Sequence, residues 1–263
     1  MTDTLSPAPM PGPVRRPVRS LRAAAALFAV GLVGIAALYL ALPPVPDLPR
    51  WAFIINPTLM LGVFSLAGAF IAPVCGLRSR IAERVSGVDV SLVPDRWVFC
   101  LALGVACGLT AGLVDHATRP VWQDAHGLTP ALPDGWRLAS LTLGMFYGGL
   151  VEEITLRWGA MSLAVLLIWK AFGGASTRPS ATMVWIGIAI AALLFAFGHL
   201  PALASSGVDF TPALVFRTLF WNATLGLVFG ALFARHDLES AMLCHAGFHL
   251  GIAPAAMVVA GFA

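Results

Sequence analysis

Glu152, Glu153 and Arg157 lie within GLVEEITLRWG (149–159), a stretch flanked on both sides by apolar sequence. A carboxylate or guanidinium at the centre of a lipid-embedded helix costs about 2.5 to 3.5 kcal/mol on insertion scales, so polar partners must face these side chains. The other polar side chains deep in apolar runs are His199 in LLFAFGHLPA, Arg217 and Asn222 in VFRTLFWNATLG, and His245 and His249 in LCHAGFHL. A spacing of four puts His245 and His249 on one helical face, and likewise aligns Phe195 with His199 and Glu153 with Arg157. Glu152 and Glu153 are about 100° apart around an α-helix axis. They cannot point the same way, so one is suited to a cavity and the other to Arg157.

A carboxylate with imidazoles in a dry cavity can hold a water, take its proton and steady a developing oxyanion, which is what peptide hydrolysis needs. Glu152, His199 and His245 also form a two-histidine, one-carboxylate set of the kind that holds zinc, with His249 as a fourth imidazole. Four ligands at once would leave no position for catalytic water, and the HExxH signature is absent. Zinc-dependent and metal-independent chemistry therefore both stay open. Plainer roles stand beside these: Glu153 with Arg157 as a structural ion pair, Phe195 as cavity wall or core, and His249 as a hydrogen-bonding link between helices. Asn222 reads as a cavity donor or interhelical glue, Gly226 and Gly230 as sites of close helix packing, and Arg217 as a side chain snorkelling to the interface. His116, His126 and His236 lie in or beside loops and have no such claim.

These residues need a membrane bundle to position them. In a chain of 263 residues, 59% hydrophobic and 11% charged, with mean hydropathy +0.86, too little polar sequence remains to wrap a soluble globule. The expected fold is an all-α polytopic transmembrane bundle. Cys75, Cys100, Cys107 and Cys244 stand singly in apolar runs and read as small buried hydrophobes. The net charge of +3 is small. The expected surroundings are the lipid bilayer and a protein or peptide substrate within it, with no nucleic acid; oligomeric state is left open.

Apolar runs predict spans at 23–42, 52–77, 97–114, 138–169, 182–203, 212–234 and 239–262. The first is too long for a signal-peptide core and lacks a convincing cleavage site, so it reads as a retained span. The fourth, near 48 Å as a straight α-helix, must tilt, kink near Gly159, protrude, or divide to give an eighth span. Seven spans with the N-terminus cytoplasmic put Arg78, Arg80, Arg84, Arg96, Lys170, Arg178 and Arg235 inside with the N-terminal arginines, and only Arg50, Arg119 and Arg137 outside. Trp51, Trp97 and Trp136 fall at span ends, as interfacial tryptophans do. The organisation expected is a disordered Pro/Arg-rich cytoplasmic arm (1–21), three N-terminal helices with their loops (22–137), and a catalytic core (138–263). Straight parallel helices would separate His199 and His245 by about 15 Å along the membrane normal, so tilt must close that gap if they share a site.

EEITLR (Glu152, Glu153, Arg157), FAFGH (Phe195, His199) and HAGFH (His245) resemble, in order and on three separate spans, the EExxxR, FxxxH and HxxxN/D motifs of the CPBP family of intramembrane proteases. That family includes the eukaryotic type II CAAX prenyl endopeptidases and bacterial Abi and lysostaphin-resistance-like proteins. The resemblance covers about residues 138 to 255. It departs at Leu156, where the family often has Phe, at Trp158 before Gly159, and at His249, where Asn or Asp is usual. It implies Glu152 as general base, His199 positioning the water, and His245 with residue 249 steadying the oxyanion. Glu153 and Arg157 would then orient Glu152. Such proteins are described both as metalloproteases and as metal-independent glutamate proteases. The expected activity is endoproteolysis of a membrane-associated or prenylated CAAX-type protein, in a multi-pass protein of a bacterial cytoplasmic membrane. The alternatives are a non-hydrolytic scaffold or immunity protein of the same fold, and a proton-coupled transporter, whose internal repeat is not seen in the sequence.

Overall fold

The computed structural model describes residues 20–42, 49–122, 141–205 and 210–260. Within them every regular element is helical, as lipid demands of a chain that must satisfy its backbone groups internally. The elements are α1 (Leu21–Ala41), α2 (Arg50–Ile71, tightening into a 3-10 turn at Ala72–Cys75), α3 (Arg80–Val85), α4 (Trp97–Ala117) and α5 (Arg119–Trp122). After these come α6 (Leu143–Met161), α7 (Ser162–Phe172), α8 (Ala181–Gly198), α9 (Leu200–Ser205), α10 (Pro212–Arg235) and α11 (Leu238–Ala260). Helix starts follow local chemistry: the hydroxyls of Ser20, Ser79, Ser180 and Thr211 accept from backbone N–H groups of the first turns of α1, α3, α8 and α10.

Among the described residues, α1, α2 with its 3-10 extension, α4, α8 and α10 are long and apolar enough to cross a membrane. The other two expected spans correspond to the α6–α7 run and to α11. Together they make a multi-pass membrane protein. Residues flanking the α6–α7 junction keep right-handed helical dihedrals, so this run is one rod and not two antiparallel segments. Gly159 marks no break; the side chain of Phe64 packs against it. What the sequence did not announce is the winding of α6, which is π-helical over 19 residues. Such winding usually occupies single turns, frequently at functional sites.

α6 is the axle of the bundle, contacted by α1, α2, α7, α8, α10 and α11. Its Ile154, Trp158 and Met161 join Leu27, Leu61, Ile188, Phe229 and Phe233 in the fully buried core. Outward-facing Leu59, Val63, Leu167 and Phe216 are exposed, an apolar girdle that only lipid would cover. α4 lies backbone to backbone against α11: Gly104 and Gly108 sit on the carbonyls of Cys244 and Phe248, and Gly247 and Gly251 on those of Leu101 and Val105. Side chains at these glycines would push the helices apart. Gly226 against Ala192 and Gly230 against Ile188 pack α10 on α8, the close packing expected of them.

A buried polar latch fixes the start of α11. Asp237 caps the helix, accepting from the Ser240 N–H at 2.9 Å, and accepts from Arg80 Nε at 2.5 Å. Glu239 reaches back to α3, accepting from the Ser79 hydroxyl at 2.6 Å and from the N–H groups of Arg80 and Ile81 at 2.9 and 3.0 Å. Arg80 Nη2 also donates to exposed Asp95 at 3.0 Å, which holds that carboxyl below the usual range. The latch sets the register of the helix that carries His245 and His249.

Cys75, Cys100 and Cys244 are buried and Cys107 is half-buried, all as free thiols. Trp51 and Trp97 are exposed at helix starts. The arm at residues 1–19, Trp136, Arg137, His126 and the 137/138 boundary lie outside the described residues. Arg217, near the start of α10, forms a two-pronged ion pair with Asp115 near the end of α4. Asn222 does not bridge helices; its amide donates at 2.8 Å to the Thr218 carbonyl of its own α10.

Candidate active site

Three helices deliver the polar side chains to one cavity of about 840 Å³. Glu152, His199, His245 and His249 all line it, with Tyr147 and Gly148 of α6 and Phe195 of α8. Glu152 and Glu153 do diverge. Glu152 is partly exposed in the cavity, whereas Glu153 is fully buried behind it.

Glu153 is the hub of the buried layer. Its Oε1 accepts from His245 Nδ1 at 2.8 Å and faces Arg157 Nη1 at 3.0 Å. The Arg157 guanidinium lies over the rings of Phe195 and Phe229, 4.7 and 5.3 Å from their centroids, and Nη2 donates to the Gly226 carbonyl at 3.4 Å. Aromatic faces and a carboxylate thus surround a cation with no access to solvent. The expected pair of Glu153 with Arg157 is present, but the side chain that Glu153 orients directly is His245.

With its Nδ1–H given to Glu153, His245 presents Nε2 to the cavity, 3.8 Å from Glu152 Oε2. That separation is too long for a direct hydrogen bond and suits two groups sharing one water. His199 caps the end of α8 and gives its Nδ1–H to the Phe195 carbonyl at 2.8 Å, again leaving Nε2 for the cavity. Phe195 is the wall between the histidines: its ring meets His199 edge-on at 4.7 Å and His245 at 5.8 Å. Helix packing therefore closes the axial gap that straight helices would have left. His245 is stacked between Phe229 at 4.5 Å and His249 at 5.3 Å. Among the described residues neither ring nitrogen of His249 meets a protein hydrogen-bond partner, so the link between helices considered for it is not formed.

Two site residues escaped the reading of polar side chains because they have none. A Cβ on Gly144 would collide with the His249 ring, and one on Gly148 would come within 2.8 Å of His245 Nε2 and 3.2 Å of His249 Nε2. The GxxxG spacing one turn before Glu152 was the available signal.

A metal was one of the two expected chemistries. Among the described residues no three His, Cys, Asp or Glu side chains are gathered closely enough, as placed, to hold a metal ion.

Residues 134–251 match the family model described as type II CAAX prenyl endopeptidase Rce1-like. Over this segment, 118 of the 263 residues, the chain is similar to that family. No curated protein and no solved structure matches the chain. The Rce1-like segment contains every polar site residue named above, together with Gly144 and Gly148, and it ends two residues beyond His249. α1, α2 and α4 lie outside it, yet they supply the wall of the cavity at Leu38, Met60 and Ala111.

Proposed function

We propose that this protein is an intramembrane endopeptidase in which Glu152 activates a water against a peptide bond, assisted by His199 and His245. The observation that carries the reading is the Glu153–His245–Glu152 alignment: one carboxylate fixes the tautomer of an imidazole whose other nitrogen faces a second, cavity-exposed carboxylate. What it shares with a catalytic triad is the buried carboxylate that sets the tautomer of a histidine; the base here is Glu152. The Rce1-like match supports the reaction class.

In the proposed reaction, water that donates one hydrogen to Glu152 and the other to His245 Nε2, with His199 Nε2 beside it as the alternative acceptor, attacks the carbonyl carbon and gives a proton to Glu152. The carbonyl π electrons move to oxygen. His249, free to present either N–H, donates to that oxyanion, as an amide would at its position. Collapse re-forms the carbonyl, breaks the C–N bond and returns the proton from Glu152 to the leaving amine. The products are a carboxylic acid, which then releases its proton to water, and an amine. The substrate would be a membrane-associated protein, with the prenylated CAAX-type tail named by the family description as the first class to try.

Terminal proteomics tests this directly. Membrane and secreted fractions of a strain lacking the protein are compared after complementation with wild type or Glu152→Gln at matched abundance. Protein termini that appear only with wild type identify a Glu152-dependent endopeptidase and its substrates. Identical termini from both, with any deletion phenotype rescued by either, would overturn the reading in favour of a non-hydrolytic scaffold.

A further inference from the structure

The cavity has a second polar region, away from the carboxylate–histidine cluster. Asp115 of α4 and Arg217, Thr218 and Asn222 of α10 line it. The Thr218 hydroxyl donates to the Leu214 carbonyl and the Asn222 amide to the Thr218 carbonyl, so both spend a donor within their own helix. Arg217 differs. It is the only lysine or arginine among the described residues lining the cavity, and its side chain is 32% exposed. Nε and Nη2 both donate to the Asp115 carboxylate, the guanidinium lies 4.2 Å from the Trp122 ring centroid, and the Trp122 indole N–H donates to the Asp115 carbonyl at 3.2 Å. Arg157 has partners of the same kind but is fully buried, whereas Arg217 is partly exposed and lines the cavity.

We propose that Arg217 is an anion-recognition residue that reads a carboxylate on the substrate. The side-on pair with Asp115 leaves the Nη1 edge for an incoming carboxylate, while Asp115 keeps the cavity wall neutral before substrate arrives. Arg217 lines the same cavity as Glu152, so a carboxylate it holds belongs to the chain whose bond is presented to Glu152, which makes this inference rest on the proteolytic reading above. A chain-terminal carboxylate and an Asp or Glu side chain share the required chemistry.

The test uses binding, so that it does not depend on turnover. Full-length Glu152→Gln protein in nanodiscs is titrated with a fluorescent N-lauroyl Leu/Ala hexapeptide as the free acid, as the C-terminal amide, and as the amide with Asp as its last residue. The free acid is expected to bind about tenfold more tightly than the amide, and Arg217→Gln to erase the difference. The Asp-bearing amide distinguishes the sources: affinity equal to the free acid assigns a side-chain carboxylate, and affinity equal to the plain amide a chain terminus. Asp115→Asn, which keeps Arg217 and removes its competitor, is expected to widen the acid-to-amide preference, and decides the matter if Arg217→Gln fails to fold. Equal binding of acid and amide, or a preference unchanged by Arg217→Gln, would overturn the proposal. Failure of the proteolytic reading shows separately, as wild-type termini that match those of Glu152→Gln.

Discussion

Glu153 Oε1 accepts from His245 Nδ1 at 2.8 Å and faces Arg157 Nη1 at 3.0 Å, so one buried oxygen joins the imidazole on α11 to the guanidinium on its own helix. This makes Glu153 both a structural counterion and the side chain that sets the tautomer of His245. The two roles separate by substitution. Arg157→Gln leaves Glu153 buried without its cation, which should cost about 3 to 5 kcal/mol and show as loss of folded protein in detergent melting. Glu153→Gln keeps the shape and a hydrogen-bonding group but can offer its NH₂ to His245 Nδ1. It is expected to lower the kcat of the folded protein by 100-fold or more, on the order of triad-carboxylate replacements, over and above the loss of folded protein from leaving Arg157 buried without its anion. Unchanged kcat in a well-folded Glu153→Gln protein would remove the tautomer argument.

Gly144 and Gly148 predict a steric effect independent of charge. Gly144→Ala should displace the His249 ring, and Gly148→Ala should crowd both histidines, so each variant is expected to lose most activity while keeping its helical circular dichroism. The smaller side chain of His249→Asn should partly restore activity to Gly144→Ala, because it vacates the space that the new methyl group needs. Cleavage assays on the single and double variants check this. Absence of rescue would mean that Gly144 acts through the path of the α6 backbone instead.

His249 is expected to act as an N–H donor and not as a base. His249→Asn, which retains a donor, should keep activity within about tenfold of wild type, whereas His249→Ala should lose about 100-fold or more in kcat, the range seen when one oxyanion donor is removed. Equal losses in both would assign His249 to packing against His245.

Much of the fold is legible in the sequence because lipid imposes a simple code. The seven apolar runs each correspond to a long helix, and Glu152, Glu153, Arg157, His199 and His245 stand out against that background by the cost of placing them there. What is not legible depends on how helices approach one another. The meeting of His199 with His245 through Phe195 follows from packing angles that no span boundary records. The α4–α11 approach rests on Gly104, Gly108, Gly247 and Gly251, whose significance appears only when the facing carbonyls are known. Asp115 and Arg217 are 102 positions apart, and nothing near either one announces the other. The π-winding of α6 likewise leaves the apolar pattern unmarked.

The latch at the start of α11 couples the loop after α2 to the site, and its members should differ sharply in weight. Asp237 is buried, accepts from Arg80 and caps α11, so Asp237→Ala leaves a buried guanidinium short of a partner and should cost about 3 to 5 kcal/mol. Asp95 is exposed and solvent can replace it, so Asp95→Asn should change melting little at neutral pH. The sign with pH follows from the depressed carboxyl: whatever Asp95 contributes is present above its ordinary pKa of about 3.9 and fades as pH falls through its lower folded value. Melting curves of wild type and Asp95→Asn should therefore converge on acidification. Since Arg80 and Glu239 fix the register of α11, Glu239→Gln is expected to reduce cleavage as well as stability, through the positions of His245 and His249. Full activity in a Glu239→Gln protein of lowered melting temperature would show that the histidines hold their register without the latch, through the glycine contacts of α4 alone.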